Sequence, residues 1–206
     1  MEILQKGNRL EAMRLMFHNK AMHVPKDEVL FCETFKKTIS ISRKKLMLSR
    51  SMERHEESIG NERTSLLCKS LREKQEELVK KYCWDTIELI TTHYDSSLLL
   101  KKLKADCFRY LAEMHVASAA ESATAIYREA LVIAEEELPA RDMLRLGIAL
   151  NWSVFLHDAL NIPDEACIVA RGAFESATRA GSVGTGGEME LIQLLRNNLV
   201  RWTSTT

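Results

Sequence analysis

The sequence predicts an all-α fold of about nine antiparallel helices stacked into one layered bundle, the first of them short. Three observations carry this. Apolar residues recur at spacings of three and four, as in Leu10, Met13 and Phe17, and along the run from Leu144 to Leu160. Almost no stretch alternates as a strand would. The three prolines, Pro25, Pro139 and Pro163, all fall where a helix should begin or end.

In chain order the expected helices are 2 to 6, 8 to 20, 25 to 56, 61 to 93, 97 to 117, 119 to 137, 141 to 160, 163 to 180 and 188 to 201. Pro25 opens the third, and Gly60-Asn61 divides two long charged helices. Asn161-Ile162-Pro163-Asp164 reads as a tight corner between antiparallel neighbours, and residues 181–187, GSVGTGG, as the flexible Gly-rich loop. Residues 203–206 form a polar tail. Short connections favour antiparallel packing. Gly147 and Gly172 fall inside helices, where each weakens the helix by about 1 kcal/mol relative to Ala, so close packing is expected at both. No fixed-period repeat is evident, but paired helices of similar length leave a helical-repeat scaffold open.

A chain of 206 residues with 46% apolar content suits one domain spanning 1-206 with a substantial core. Basic and acidic residues balance at 29 each, so no overall field draws the chain to nucleic acid or to a membrane surface. No apolar run approaches a transmembrane span, and the start Met1-Glu2 opens no signal-peptide pattern. The cysteines, Cys32, Cys68, Cys83, Cys107 and Cys167, are odd in number and scattered without CxxC spacing, as expected of reduced, mostly buried thiols in the cytoplasm. The six histidines make no HExxH or close pair. No metal site, cofactor or nucleophile–base pair is expected, and hence no enzyme.

The charge pattern is more pointed. In FKKTISISRKK, Lys36 and Arg43 lie seven residues apart, two turns along one helix face. In KKLKADCFRYLAE, Arg109 and Tyr110 are adjacent, and Lys102, Asp106, Arg109 and Glu113 step by four, three and four. Two Arg, one Lys and a Tyr hydroxyl offer a phosphate many donors, Arg in a bidentate fork. On two facing helices they would make a phosphate receptor. The bland alternative is a pair of solvated helix faces.

The segments RLGIALNWSVFLHDALNIPDEAC (145 to 167), IQLLRNNLVRW (192 to 202) and KLKADCFRYLAE (102 to 113) closely resemble the 14-3-3 family of phosphopeptide-binding adaptors. The spacing agrees from about residue 8 to the end, and RLGIALNWSVF is the most specific stretch. By that resemblance Lys36, Arg43, Arg109 and Tyr110 line up with the family's phosphate pocket. Asn151 and Asn198 become candidates to hold the bound peptide's backbone, because a carboxamide both donates and accepts. The implied groove is amphipathic, lined by Lys102, Leu150, Val154, Asp158, Glu190, Leu191 and Leu194. The expected function is a phosphoserine/phosphothreonine-peptide-binding adaptor. Its rival is a helical-repeat scaffold whose phosphate pocket is degenerate.

The chain departs from the family pattern in places. Asp158 stands where the family has Glu. Glu190 stands where its apolar wall has Leu, and a carboxylate there is costly unless it stays solvated. The 181–187 loop is shorter and richer in glycine, and the neutral charge balance differs from the family's usual acidity. The family dimerises through its first helices, and here the resemblance leaves residues 1-7 as a remnant of the first. Arg9 is kept, but Ala12 and Leu78 replace charged partners, so a weak or atypical homodimer is expected. Ser204 follows Arg201 by three residues and, like Thr205, lies close to the C-terminus. Both are candidate phosphosites that a neighbouring copy would capture as a phosphorylated tail.

Overall fold

The computed structural model describes residues 25–93, 97–181 and 186–204. Among these residues it is helical with short turns and no strand. Seven helices are present: α1 (Pro25–Ser58), α2 (Glu62–His93), α3 (Leu98–Ala112), α4 (Ala119–Glu137), α5 (Met143–Asp158), α6 (Pro163–Arg179) and α7 (Gly186–Thr203). The expected helices 2 to 6 and 8 to 20, the remnant 1-7, Arg9, Ala12 and Thr205 lie outside the described residues. The chain groups into two compact units, Met1–Asp95 and Ser96–Thr206.

In the first unit α1 and α2 form a hairpin. Phe31, Phe35, Ile39 and Leu46 are buried along one face of α1, and Cys68, Val79, Cys83, Ile87 and Ile90 along α2. Buried hydroxyls on α1 are satisfied within the helix: Thr38 donates to the Thr34 carbonyl and Ser49 to that of Lys45. Further along, Arg72 joins the helices by bonding Glu53 at 2.5 Å and Glu76 at 3.2 Å, while Arg50 reaches Glu76 at 2.7 Å. Gly60 closes α1 with a φ of +72°, a left-handed conformation that any Cβ would strain.

In the second unit α3 pairs with α4, and α5 packs against α4, α6 and α7. Alanines make this close approach feasible: Ala123, Ala130, Ala134, Ala166, Ala170 and Ala177 are all fully buried. They surround an aromatic centre in which Tyr127 stacks on Trp152 with ring centroids 5.6 Å apart. Asp142 caps α5 by accepting from the backbone N–H of Leu144 at 2.7 Å and of Arg145 at 3.3 Å. Arg141, beside it, donates to Glu188 on α7 at 2.8 Å and to the Ala177 carbonyl on α6 at 3.3 Å.

Four expectations need correction. The helix expected to run to 117 stops at Ala112, because the chain turns through left-handed backbone at His115 and Ser118, both at φ 57°. The last helix starts at Gly186, so Gly186 and Gly187 belong to α7 rather than to the 181–187 loop; residues 182–185 lie outside the description. Gly187 approaches α5 closely: a Cβ there would meet Met143 Cε at 2.9 Å. In the 203–206 tail, Thr203 is still helical, and the Ser204 hydroxyl bonds back to the Val200 carbonyl at 2.7 Å. Close packing does not account for Gly172, which has nothing within 4 Å of a would-be Cβ; at Gly147 a Cβ would make only ordinary contact, 3.5 Å from Lys102 Cε.

Candidate functional site

The spacing of four, three and four on α3 produces a continuous row of ion pairs. Lys102 Nζ donates to Asp106 Oδ2 at 2.7 Å, Arg109 Nη2 lies 3.5 Å from Asp106 Oδ1, and Arg109 Nη1 donates to Glu113 at 2.7 Å. The row is largely out of water, with the side chains of Lys102, Asp106 and Arg109 only 10%, 7% and 11% exposed. Buried charge survives only when paired and hydrogen-bonded, and two further helices supply the bonds. From α4 the Tyr127 hydroxyl donates to Asp106 Oδ1 and accepts from Arg109 Nε at 3.3 Å. From α5, Asn151 Nδ2 donates to the same Oδ1 at 2.7 Å.

These contacts set the charge states. Burial alone would raise the Asp106 pKa, but Lys102 and Arg109 outweigh it and bring it down to about 2. Burial also opposes the charge on Arg109. Tyr127, Tyr110, Asp106 and Glu113 more than offset that, so the guanidinium keeps its proton well beyond the usual range. Tyr127 is pushed well up, first by burial and then by the Asp106 carboxylate, and stays a phenol donor. Arg109 Cζ also lies over the Tyr110 ring, 4.3 Å from its centroid.

Within the second unit the structure therefore brings Lys102, Arg109 and Asn151 onto one carboxylate. Leu150, Val154 and Leu191 are half-buried against the apolar core, and Leu194 is 41% exposed. Asn198 is half-buried on α7. Glu190 is exposed, so its carboxylate keeps its hydration and the expected penalty does not arise. Asp158 is exposed and lies 2.7 Å from Nδ1 of His157, whose ring stacks on Trp202 at 4.5 Å and so ties α5 to α7. Lys36 and Arg43 belong to the first unit, on α1, where Lys36 is exposed and Arg43 half-buried.

Sequence reasoning places Asp106 in the ladder without giving it a role, and it passes over Tyr127. The signal for Tyr127 is its setting: one aromatic with a polar tip at the centre of a face otherwise made of Ala123, Ala130 and Ala134. Among the described residues no group of three or more His, Cys, Asp or Glu side chains could hold a metal ion, and no helix is long and apolar enough to cross a membrane.

Known proteins match this chain over most or nearly all of its length. Residues 5–203 match the family model described as 14-3-3 protein. The 14-3-3-like protein GF14-E of Oryza sativa subsp. japonica is 34% identical over 226 aligned positions, covering 98% of this chain and 86% of that protein. The 14-3-3 protein homolog of Trichoderma harzianum is 35% identical over 192 positions, covering 85% and 72%. The checkpoint signal transducer rad25 of Schizosaccharomyces pombe is 35% identical over 190, covering 85% and 70%. With its all-helical architecture and a family match that runs almost from end to end, the chain belongs to the 14-3-3 family.

Proposed function

We propose that this chain is a phosphoserine/phosphothreonine-peptide-binding adaptor without catalytic activity, working in the cytoplasm by clamping phosphorylated segments of partner proteins. Lys36 and Arg43 of α1 and Arg109 and Tyr110 of α3 receive the phosphate. Asn151 and Asn198 hold the peptide backbone. Lys102, Leu150, Val154, Asp158, Glu190, Leu191 and Leu194 line the groove.

One observation carries the reading: Arg109 is a buried, permanently charged guanidinium held on three sides by Tyr127, Asp106 and Glu113. Such a group is already oriented and loses little freedom on meeting an anion. The α3 row is close to neutral, since Lys102 and Arg109 face Asp106 and Glu113. A phosphoserine brings nearly two negative charges. Further positive charge lies on α1, whose stretch FKKTISISRKK contains no acid.

Fluorescence anisotropy with one peptide in phosphorylated and unphosphorylated forms tests this. Charge-assisted bonds contribute about 1.5–3 kcal/mol each, so Arg109→Ala and Lys36→Ala should each weaken binding about tenfold or more. Equal binding of both peptide forms would favour the scaffold with a degenerate pocket.

Two finer statements belong to this reading. Any homodimer is weak or differently arranged, with Leu78 where the family carries a charge; a tight dimer by sedimentation equilibrium would contradict this. Ser204, exposed at the end of α7, or Thr205, offers a phosphorylated tail to another copy. A synthetic RWTpSTT peptide with a free carboxylate should bind, and its failure would remove self-recognition.

A further inference from the structure

Asp106 is the shared acceptor of three helices. Its Oδ2 takes Lys102, while its Oδ1 takes Tyr127 and Asn151 and faces Arg109. An ionised carboxylate accepts and cannot donate, whereas a primary amide has one end of each kind. Asn151 can therefore meet Asp106 only through its NH2. Its carbonyl end, Oδ1, takes part in none of the hydrogen bonds among the described residues, and the residue is half-buried. Lys102 holds the same register one turn earlier, its stem 3.5 Å from where a Cβ on Gly147 would stand.

We propose that Asp106 is a positioning residue that fixes the amide polarity of Asn151, so that the site presents a carbonyl acceptor to a ligand backbone N–H and discriminates against a proline or an N-alkylated residue at that point. This rests on the phosphopeptide reading above. Without the carboxylate, the amide can turn end for end and offer either a donor or an acceptor. Asp106 itself touches no ligand. Its effect on selectivity passes entirely through Asn151.

The test uses the full chain and a fluorescein-labelled dodecapeptide with one central phosphoserine and an arginine three residues before it. Copies of the peptide are N-methylated at one backbone position each. For the wild-type chain, methylation at one position should weaken binding about tenfold, the loss expected when a well-placed hydrogen bond is broken and its partner stranded. That penalty should vanish in Asn151→Ala and fall to about threefold or less in Asp106→Asn, where the amide can turn. If Asp106 served the fold alone, Asp106→Asn would weaken all peptides alike and leave the ratio at tenfold, which overturns the proposal. So does the absence of any position whose penalty depends on Asn151.

A second measurement stands even if Asp106→Asn fails to fold. In the unliganded wild-type chain, hydrogen exchange of the Asn151 side-chain amide, followed by NMR, should be slow beside that of the exposed Asn197, whose NH2 group makes no hydrogen bond among the described residues. Equal rates overturn the proposal. Protected Asn151 protons in a chain that ignores phosphorylation would overturn the phosphopeptide reading and with it the ligand half of the proposal, while the amide polarity would stand.

Discussion

Asp106→Asn tests the buried charge row most directly. In the folded chain Asp106 has a pKa of about 2 against an ordinary 3.8, so the fold favours the charged carboxylate by about 2 kcal/mol. Because the folded value is the lower one, this contribution is fully present above about pH 4 and disappears as the pH falls towards 2. The substitution keeps the shape and removes the charge. Lys102 and Arg109, 10% and 11% exposed, then share a buried row that has lost one of its two carboxylates. Stranding buried charge in this way costs about 3–5 kcal/mol. Urea unfolding at pH 7 should therefore show Asp106→Asn less stable than wild type by about 3 kcal/mol. Repeated at pH 5, 4, 3 and 2.5, the gap should narrow by about 1–2 kcal/mol, because the unfolded wild-type chain takes up a proton at Asp106 before the folded chain does. A gap below about 1 kcal/mol at pH 7, or one that stays constant down to pH 2.5, would show that the Asp106 carboxylate does not stabilise the fold.

Three other perturbations probe the frame around the site. Arg72→Leu removes the bridge from α2 to Glu53 and Glu76; with Glu53 largely buried, thermal unfolding of the variant should show a loss of about 1–3 kcal/mol, and wild-type stability would disprove a role for the bridge. Asp142→Ala strips the N-cap of α5 and should cost about 1 kcal/mol by urea denaturation, whereas Asp142→Asn should cost less. Gly60→Ala forces a Cβ into left-handed backbone at the α1–α2 turn and should destabilise by about 1 kcal/mol, with Gly60→Asn tolerated better.

The sequence makes the helical frame legible because helix boundaries are local events. Gly60 and Pro163 each end or begin an element through their own backbone chemistry, and the structure puts boundaries at both. The exceptions have equally local causes. His115 and Ser118 adopt left-handed backbone without glycine to announce it, and Gly186 and Gly187 enter a helix despite their preference for loops. The α3 charge row is legible from spacing, since residues three and four apart on a helix must meet. Its satisfaction is not. Tyr127 lies 21 residues and Asn151 45 residues from Asp106, and only the packing of α4 and α5 brings them there. Residue type did point to Asn151 as a two-way amide; which of its ends is already taken is a tertiary fact.

The double hold of Arg141 also bears on how this part of the chain can diverge. By binding Glu188 at the head of α7 and the Ala177 carbonyl in the last turn of α6, it fastens both sides of the 180–185 connection independently of the connection's own residues. A tether whose ends are pinned needs no particular length: each doubling of a flexible loop adds only about 0.6 kcal/mol of closure entropy. Insertions and deletions between α6 and α7 can therefore accumulate, or be engineered as grafts, without unseating the helix that carries Leu191, Leu194 and Asn198. Evolvability at this edge of the molecule depends on one guanidinium that lies outside the segment free to change.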